Sequence, residues 1–153
     1  DIHNNAGTIL YGRTTYQLME DFWPTVVKNP TGDKHMDDFA NAIENVSKVL
    51  FSRTLKSVTW NNARLATKDL KDEVTALKQQ PGNDILVGSP SLIAELTRLN
   101  LIDVWQLCVH PVIAGQGLPL FKGITERIVF KLLKTQTFNT SDHVVFYYAR
   151  SNG

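Results

Sequence analysis

Short apolar, β-branched runs alternate with helical patterns through the first two thirds of this chain. That order constrains the fold more than any single residue does. Parallel strands cannot be joined by tight turns, so a strand, helix, strand succession implies a mostly parallel sheet with helices packed on its faces. Thr8–Tyr11 reads as a strand ending at Gly12. Thr14–Phe22 reads as a helix with Tyr16, Met19 and Phe22 on one side, opened by a Thr14/Gln17 capping-box pair and stopped by Pro24. A helix over Met36–Asn45 and a strand over Val46–Phe51 follow. Next come an expected strand at Val58–Trp60, a short apolar stretch at Leu65-Ala66, and a helix over Asp69–Gln79. Ile85-Leu86-Val87 has the wholly apolar character of a buried central strand. It opens onto Gly88-Ser89-Pro90 and a helix over Ser91–Leu99, where serine suits the N-cap and proline the first helical position.

Val104–Val109 is a further strand. After it the character changes: Ile128–Thr137 and Val144–Arg150 are strand-like runs with no helix between them, the pattern of a terminal antiparallel hairpin on the edge of the sheet. The fold class is therefore α/β, a mostly parallel central sheet flanked by helices with a C-terminal antiparallel hairpin. At 153 residues and 42% hydrophobic content the chain is expected to form a single domain over 1–153.

A formal charge of +1, from 16 basic and 15 acidic residues, provides no field that would draw the chain to nucleic acid or a membrane surface. No apolar stretch is long enough to cross a bilayer and no leader precedes the first strand. The one cysteine, Cys108, lies in an apolar run and excludes an intrachain disulfide; it reads as a buried thiol in a reducing compartment. A cytoplasmic location is expected. The chain opens at Asp1 with a short polar lead, which suggests that something is missing upstream.

Chemistry in such a sheet collects where strands end and helices begin, because free backbone N–H groups and the helix dipole favour an anion there. Three corners carry suitable residues. Gly12-Arg13-Thr14 joins a permissive glycine to a charged fork, Ser52-Arg53-Thr54 follows the second strand, and Val87-Gly88-Ser89-Pro90-Ser91-Leu92 offers a small-residue turn into a capped helix. Two arginine-bearing turns and one uncharged turn suit a dinucleotide with an extra phosphate, which favours NADPH over NADH. No G-x-G-x-x-G follows the first strand and no G-x-x-x-x-G-K-[ST] occurs. His3, His35, His110 and His143 have no metal-ligand spacing, so no metal is expected. Without a G-x-S-x-G elbow, Ser89 serves as a helix cap rather than a nucleophile.

Six blocks in order carry a resemblance. They are Leu10–Tyr16 leading to Phe22-Trp23-Pro24; Lys48–Leu55; Trp60–Ala63; Ile85–Leu92; Leu101-Ile102-Asp103; and His110–Phe121. Together they make the chain resemble the dihydrofolate-reductase-like family that includes the reductase domain of bacterial riboflavin biosynthesis, the RibD C-terminal domain. The resemblance implies that Gly12, Arg13 and Thr14 flank the cofactor, that Ser52 and Arg53 approach its 2′-phosphate, and that Gly88–Leu92 wrap its pyrophosphate. It places Trp23 and the loop bearing Gly115, Gly117 and Leu118 near the nicotinamide and substrate. Members of the family usually begin with a further strand, which this chain is expected to lack.

The activity so implied is hydride transfer from NADPH to a small pterin-, flavin-precursor- or pyrimidine-like heterocycle. No residue is assigned as proton donor; Glu20 and Asp21 lie on the relevant helix as an exposed acidic pair. The alternative is a nucleotide-binding module without turnover. The terminal hairpin presents an edge strand, from which a homodimer is expected.

Overall fold

The structure, a computed structural model, describes residues 5–151. The chain divides into two compact units, residues 1–93 and 94–153, with the division inside a helix. The first unit contains β1 (Ala6–Gly12), α1 (Arg13–Lys28), α2 (Lys34–Asn45), β2 (Ser47–Phe51), β3 (Ala63–Leu65), α3 (Leu70–Lys78), β4 (Asp84–Val87) and the start of α4 (Pro90–Arg98). All four strands are parallel, in the order β3-β2-β1-β4. Strands β1 and β2 occupy the middle because they carry continuous apolar runs: Ile9-Leu10-Tyr11 and Val49-Leu50 are buried without alternation, as a two-sided strand requires. β4 is an edge strand of this sheet and only half-buried, against the central position expected of it. Three apolar residues in a row mark burial but do not rank strands within a sheet.

The core of this unit gathers Ile9, Tyr11, Tyr16, Ile43, Leu50 and Trp60. Pro24 does not end α1, which continues to Lys28. Proline costs a helix a backbone hydrogen bond, here the one to the Glu20 carbonyl, and the turn beyond it offsets that cost by burying Val26. Nor does the Thr14/Gln17 capping box form: the helix starts one residue earlier, with Gly12 at the N-cap and no side-chain cap. Val58–Trp60 is not a strand. The Trp60 N–H is taken by the Tyr16 hydroxyl (3.2 Å), and the chain turns through Asn62, at φ 55°, before β3 begins.

The second unit holds β5 (Trp105–Val109), β6 (Phe130–Phe138) and β7 (Ser141–Arg150) in an antiparallel sheet of order β5-β7-β6. The expected hairpin is present, but it pairs with β5 in a sheet of its own rather than extending the parallel one. Cys108 is exposed, not buried. With side chains alternating along β5, Trp105 and Leu107 turn to one face and Gln106 and Cys108 to the other, so an apolar run covered on one side only was read as covered on both. The end of α4 is closed by Asn100, at φ 55°, and by Arg150, whose guanidinium donates to Asn100 Oδ1 (2.8 Å) and the Thr97 carbonyl (3.3 Å).

Among the described residues no helix is long and apolar enough to cross a membrane.

Candidate functional site

Because β1, β2 and β4 are parallel neighbours in register, their C-terminal ends share one rim: Gly12 pairs with Phe51, and Leu10 pairs with Val87. The three corners singled out from the sequence stand on that rim. They are also joined. The Gly12 N–H donates to Ser89 Oγ (2.8 Å), tying the first corner to the third, and Arg13 Nη1 donates to Thr54 Oγ1 (3.4 Å), reaching from the first to the second. Within the second corner, Ser52 Oγ accepts from the Thr54 and Leu55 N–H groups (3.2 and 3.0 Å), a turn that leaves the Arg53 side chain exposed.

The electrostatics of the rim differ from corner to corner. Helix α3 follows β3 there and satisfies its own start: Asp69 caps the Asp72 N–H, Asp72 and Glu73 lie in the first turn, and Glu73 accepts the Thr67 and Lys68 N–H groups. Helices α1 and α4, which begin at the first and third corners, have no acidic residue in their first turns, and α1 has no side-chain cap. Their positive dipole ends are thus left without an internal counter-charge beside two arginines. At Gly88 a Cβ would meet nothing within 4 Å, so the backbone of the β4–α4 turn is open to close approach. Open backbone, helix starts without acids and exposed guanidinium groups form a donor set that fits a phosphorylated dinucleotide.

Other residues singled out from the sequence lie elsewhere. Trp23 is ten residues along α1 from Arg13, roughly 15 Å on a helix rising 1.5 Å per residue. It packs edge-on to Phe39 (centroids 4.5 Å), and its indole N–H donates to Met19 Sδ (3.2 Å). Gly115, Gly117 and Leu118 belong to the second unit, in an exposed loop with Gly115 at φ 71°. Cys108 Sγ sits 3.5 Å from His110 Nε2, whose ring stacks on His143 (5.1 Å), yet among the described residues no group of three or more histidine, cysteine or acidic residues is arranged to hold a metal; His3 lies outside them.

Glu20 corrects the expectation of an exposed acidic pair. It is half-buried and accepts from the Tyr16 and Thr59 hydroxyls (2.8 and 2.6 Å). Burial alone would raise its carboxyl, but the hydrogen bonds from Thr59 and Tyr16 outweigh burial and hold it below the usual range. Such a group is a brace between α1 and the 59–60 segment, not a proton reservoir. The sequence signal was available in the i, i+4 spacing of Tyr16 and Glu20. Asp21 is exposed. The Gly12–Ser89 bond, across 77 residues, had no local signal at all.

The chain is α/β, with a parallel four-stranded sheet and a separate three-stranded antiparallel sheet, and its fold is dihydrofolate-reductase-like. The chain belongs to the RibD C-terminal domain family, whose profile matches residues 1–144. It is similar to the uncharacterized protein YyaP of Bacillus subtilis strain 168, at 35% identity over 149 residues covering 97% of this chain and 77% of that protein. In fold it is similar to Acinetobacter baumannii RibD (TM-score 0.65, 15% identity, 96% of this chain and 47% of that one). It is also similar to dihydrofolate reductase from Enterococcus faecalis in complex with NADP(H) (TM-score 0.57, 14% identity, 95% and 74%).

Proposed function

We propose that this chain is an NADPH-dependent reductase acting on a small pterin-, flavin-precursor- or pyrimidine-like heterocycle. The observation that carries the reading is the convergence of three corners on one rim, two of them starting helices without first-turn acids and two of them bearing arginine. Gly12, Arg13 and Thr14 flank the cofactor. Ser52, Arg53 and Thr54 face its 2′-phosphate, and Val87, Gly88, Ser89, Pro90, Ser91 and Leu92 hold its pyrophosphate. NADPH, when bound, supplies the hydride. What the protein contributes is orientation: fixed N–H donors and guanidinium groups set where the dinucleotide lies, so that its reactive ring meets a substrate in one pose. In the first unit, Trp23 belongs to the substrate side of this reading. The family membership and the likeness to an NADP(H)-bound reductase support it.

One observation favours a second reading, a nucleotide-binding module without turnover: Glu20, the half-buried acid of α1, is committed to Tyr16 and Thr59.

The test has two arms. Titration of NADPH against intrinsic tryptophan fluorescence, with NADH as control, is expected to show tighter NADPH binding by at least about tenfold, since charged hydrogen bonds contribute about 1.5–3 kcal/mol each. Loss of NADPH absorbance with a panel of pterins, aminopyrimidines and flavin precursors is expected for at least one substrate. Binding without consumption selects the module, and absence of binding removes both readings.

We further propose a cytoplasmic homodimer. The support for pairing is β6, an edge strand exposed along nearly its whole length and carrying Leu132, Leu133 and Phe138. Light scattering of the purified chain is expected to give twice the mass of 17.2 kDa.

A further inference from the structure

The geometry points to Ser89 as the positioning residue that fixes the starts of α1 and α4 on a single anion, acting through the Gly12 amide; the inference rests on the cofactor reading above.

The register of the sheet shows what the serine replaces. β1 and β4 run in step to the pair Leu10 and Val87, where β4 ends. Two residues on, Gly12 and Ser89 would be the next ladder partners, but the chain has left β4 to enter α4. In place of a strand carbonyl, the Ser89 hydroxyl oxygen accepts the Gly12 N–H at 2.8 Å, with the serine 1% exposed. Ser89 is also the residue whose carbonyl accepts the Ile93 N–H (2.9 Å), so it stands at the head of α4. Gly12 in turn is the N-cap of α1. One part-buried hydrogen bond therefore couples the cap residues of two helices. A Cβ on Gly12 would contact Ser89 Cβ (3.6 Å) and Ser91 Oγ (3.5 Å), which shows how closely the two turns are set.

Neither helix has an acid in its first turn, whereas α2 has Asp37 there and α3 has Asp72 and Glu73. Two such helix ends act on one anion only if their separation is fixed beforehand, because an interaction of fixed dipoles with charge falls away within the first turn. Ser89 fixes it. Its effect is directed at the ligand part shared by both helix starts, the pyrophosphate, and leaves the Arg13, Ser52 and Arg53 side of the rim as it was.

The test uses the wild-type chain with Ser89→Ala and the near-isosteric Ser89→Cys, whose sulfur is a poor acceptor. Affinities are measured by calorimetry for NADPH and for adenosine 2′-monophosphate, which carries the 2′-phosphate and no phosphate at the 5′ position. The expected result is a five- to twentyfold loss for NADPH with less than a twofold change for the 2′-monophosphate, and loss of exchange protection at the Gly12 amide. A serine that merely supported the fold would weaken both ligands together. Equal losses for the two ligands, or NADPH binding unchanged in Ser89→Cys, would overturn the inference. Failure of the wild type to bind NADPH would instead remove the cofactor reading on which the inference stands, and is seen before any variant is made.

Discussion

Lys48 gives the sharpest quantitative prediction. It opens into the buried part of β2 and is fully buried, with its ammonium donating to the carbonyls of Glu44 (3.0 Å), Val46 (3.0 Å) and Asn61 (2.8 Å) and lying 4.5 Å over the Trp60 ring. Burial pushes this amine down to about 8 from 10.5, against the opposing pull of the Glu44 carboxylate. A lysine that releases its proton more easily in the folded chain than in the unfolded one makes stability rise with pH between the two values, because the unfolded chain binds more protons there. Between pH 7.5 and 9.5 the gain is about 2 kcal/mol, which at a urea dependence of roughly 2 kcal/mol/M is a midpoint shift of about 1 M. The window closes near pH 10, since burial raises Tyr11 and Tyr16 to about 12, and unfolded tyrosines then ionise first and draw stability down again. The assay is urea unfolding followed by tryptophan fluorescence, which reports on Trp60 beside the amine, for wild type and Lys48→Met at several pH values. Lys48→Met removes the slope. At neutral pH it relieves the buried charge and orphans three carbonyls, opposing effects of about 3 kcal/mol each, so the slope is the diagnostic and not the midpoint at one pH. Equal pH slopes in the two proteins would refute the reasoning.

Other expectations follow from the same contacts. Glu73 is 5% exposed and hydrogen-bonded by Arg64 and by the Thr67 and Lys68 N–H groups. Burial by itself would raise its carboxyl, but these donors together hold it below 4.5, so its contribution is present above pH 4.5 and lost as pH falls through the folded value. Glu73→Gln is expected to cost about 1–3 kcal/mol at pH 7 and progressively less in acid, read from urea midpoints. Gly12 has φ −81°, and an added Cβ there makes only ordinary contacts, so Gly12→Ala is expected to change stability by less than about 1 kcal/mol while crowding the gap between the first and third corners and weakening NADPH binding severalfold in the fluorescence titration. Arg150→Met removes two hydrogen bonds at the end of α4 and is expected to lower stability by about 1–3 kcal/mol, measured by thermal unfolding; Lys at this position would restore little of it, because a point charge cannot span Asn100 and Thr97 as the guanidinium fork does.

Most of the fold was legible because the signals were local. The apolar runs of β1 and β2 and the serine and proline heading α4 all act within a few residues. The misreadings came where a distant partner overruled a local rule. Pro24 lies inside α1, which runs on to bury Val26, and Val58–Trp60 gives its amide to a tyrosine of α1 instead of a neighbouring strand. The exposure of Cys108 depended on which face of β5 is covered, and a run of apolar letters does not record faces when only one is packed.

The sequence alone determined the strand and helix alternation of the first two thirds, the terminal hairpin and the three corners, since propensity and side-chain periodicity are properties of neighbouring residues. Tertiary structure decided that those corners share a rim, that Ser89 joins two of them, that Glu20 is a brace, and that the hairpin forms its own sheet with β5. Each of these depends on contacts between residues far apart in the chain, and such contacts are fixed only when the strands find their register and the core closes around them.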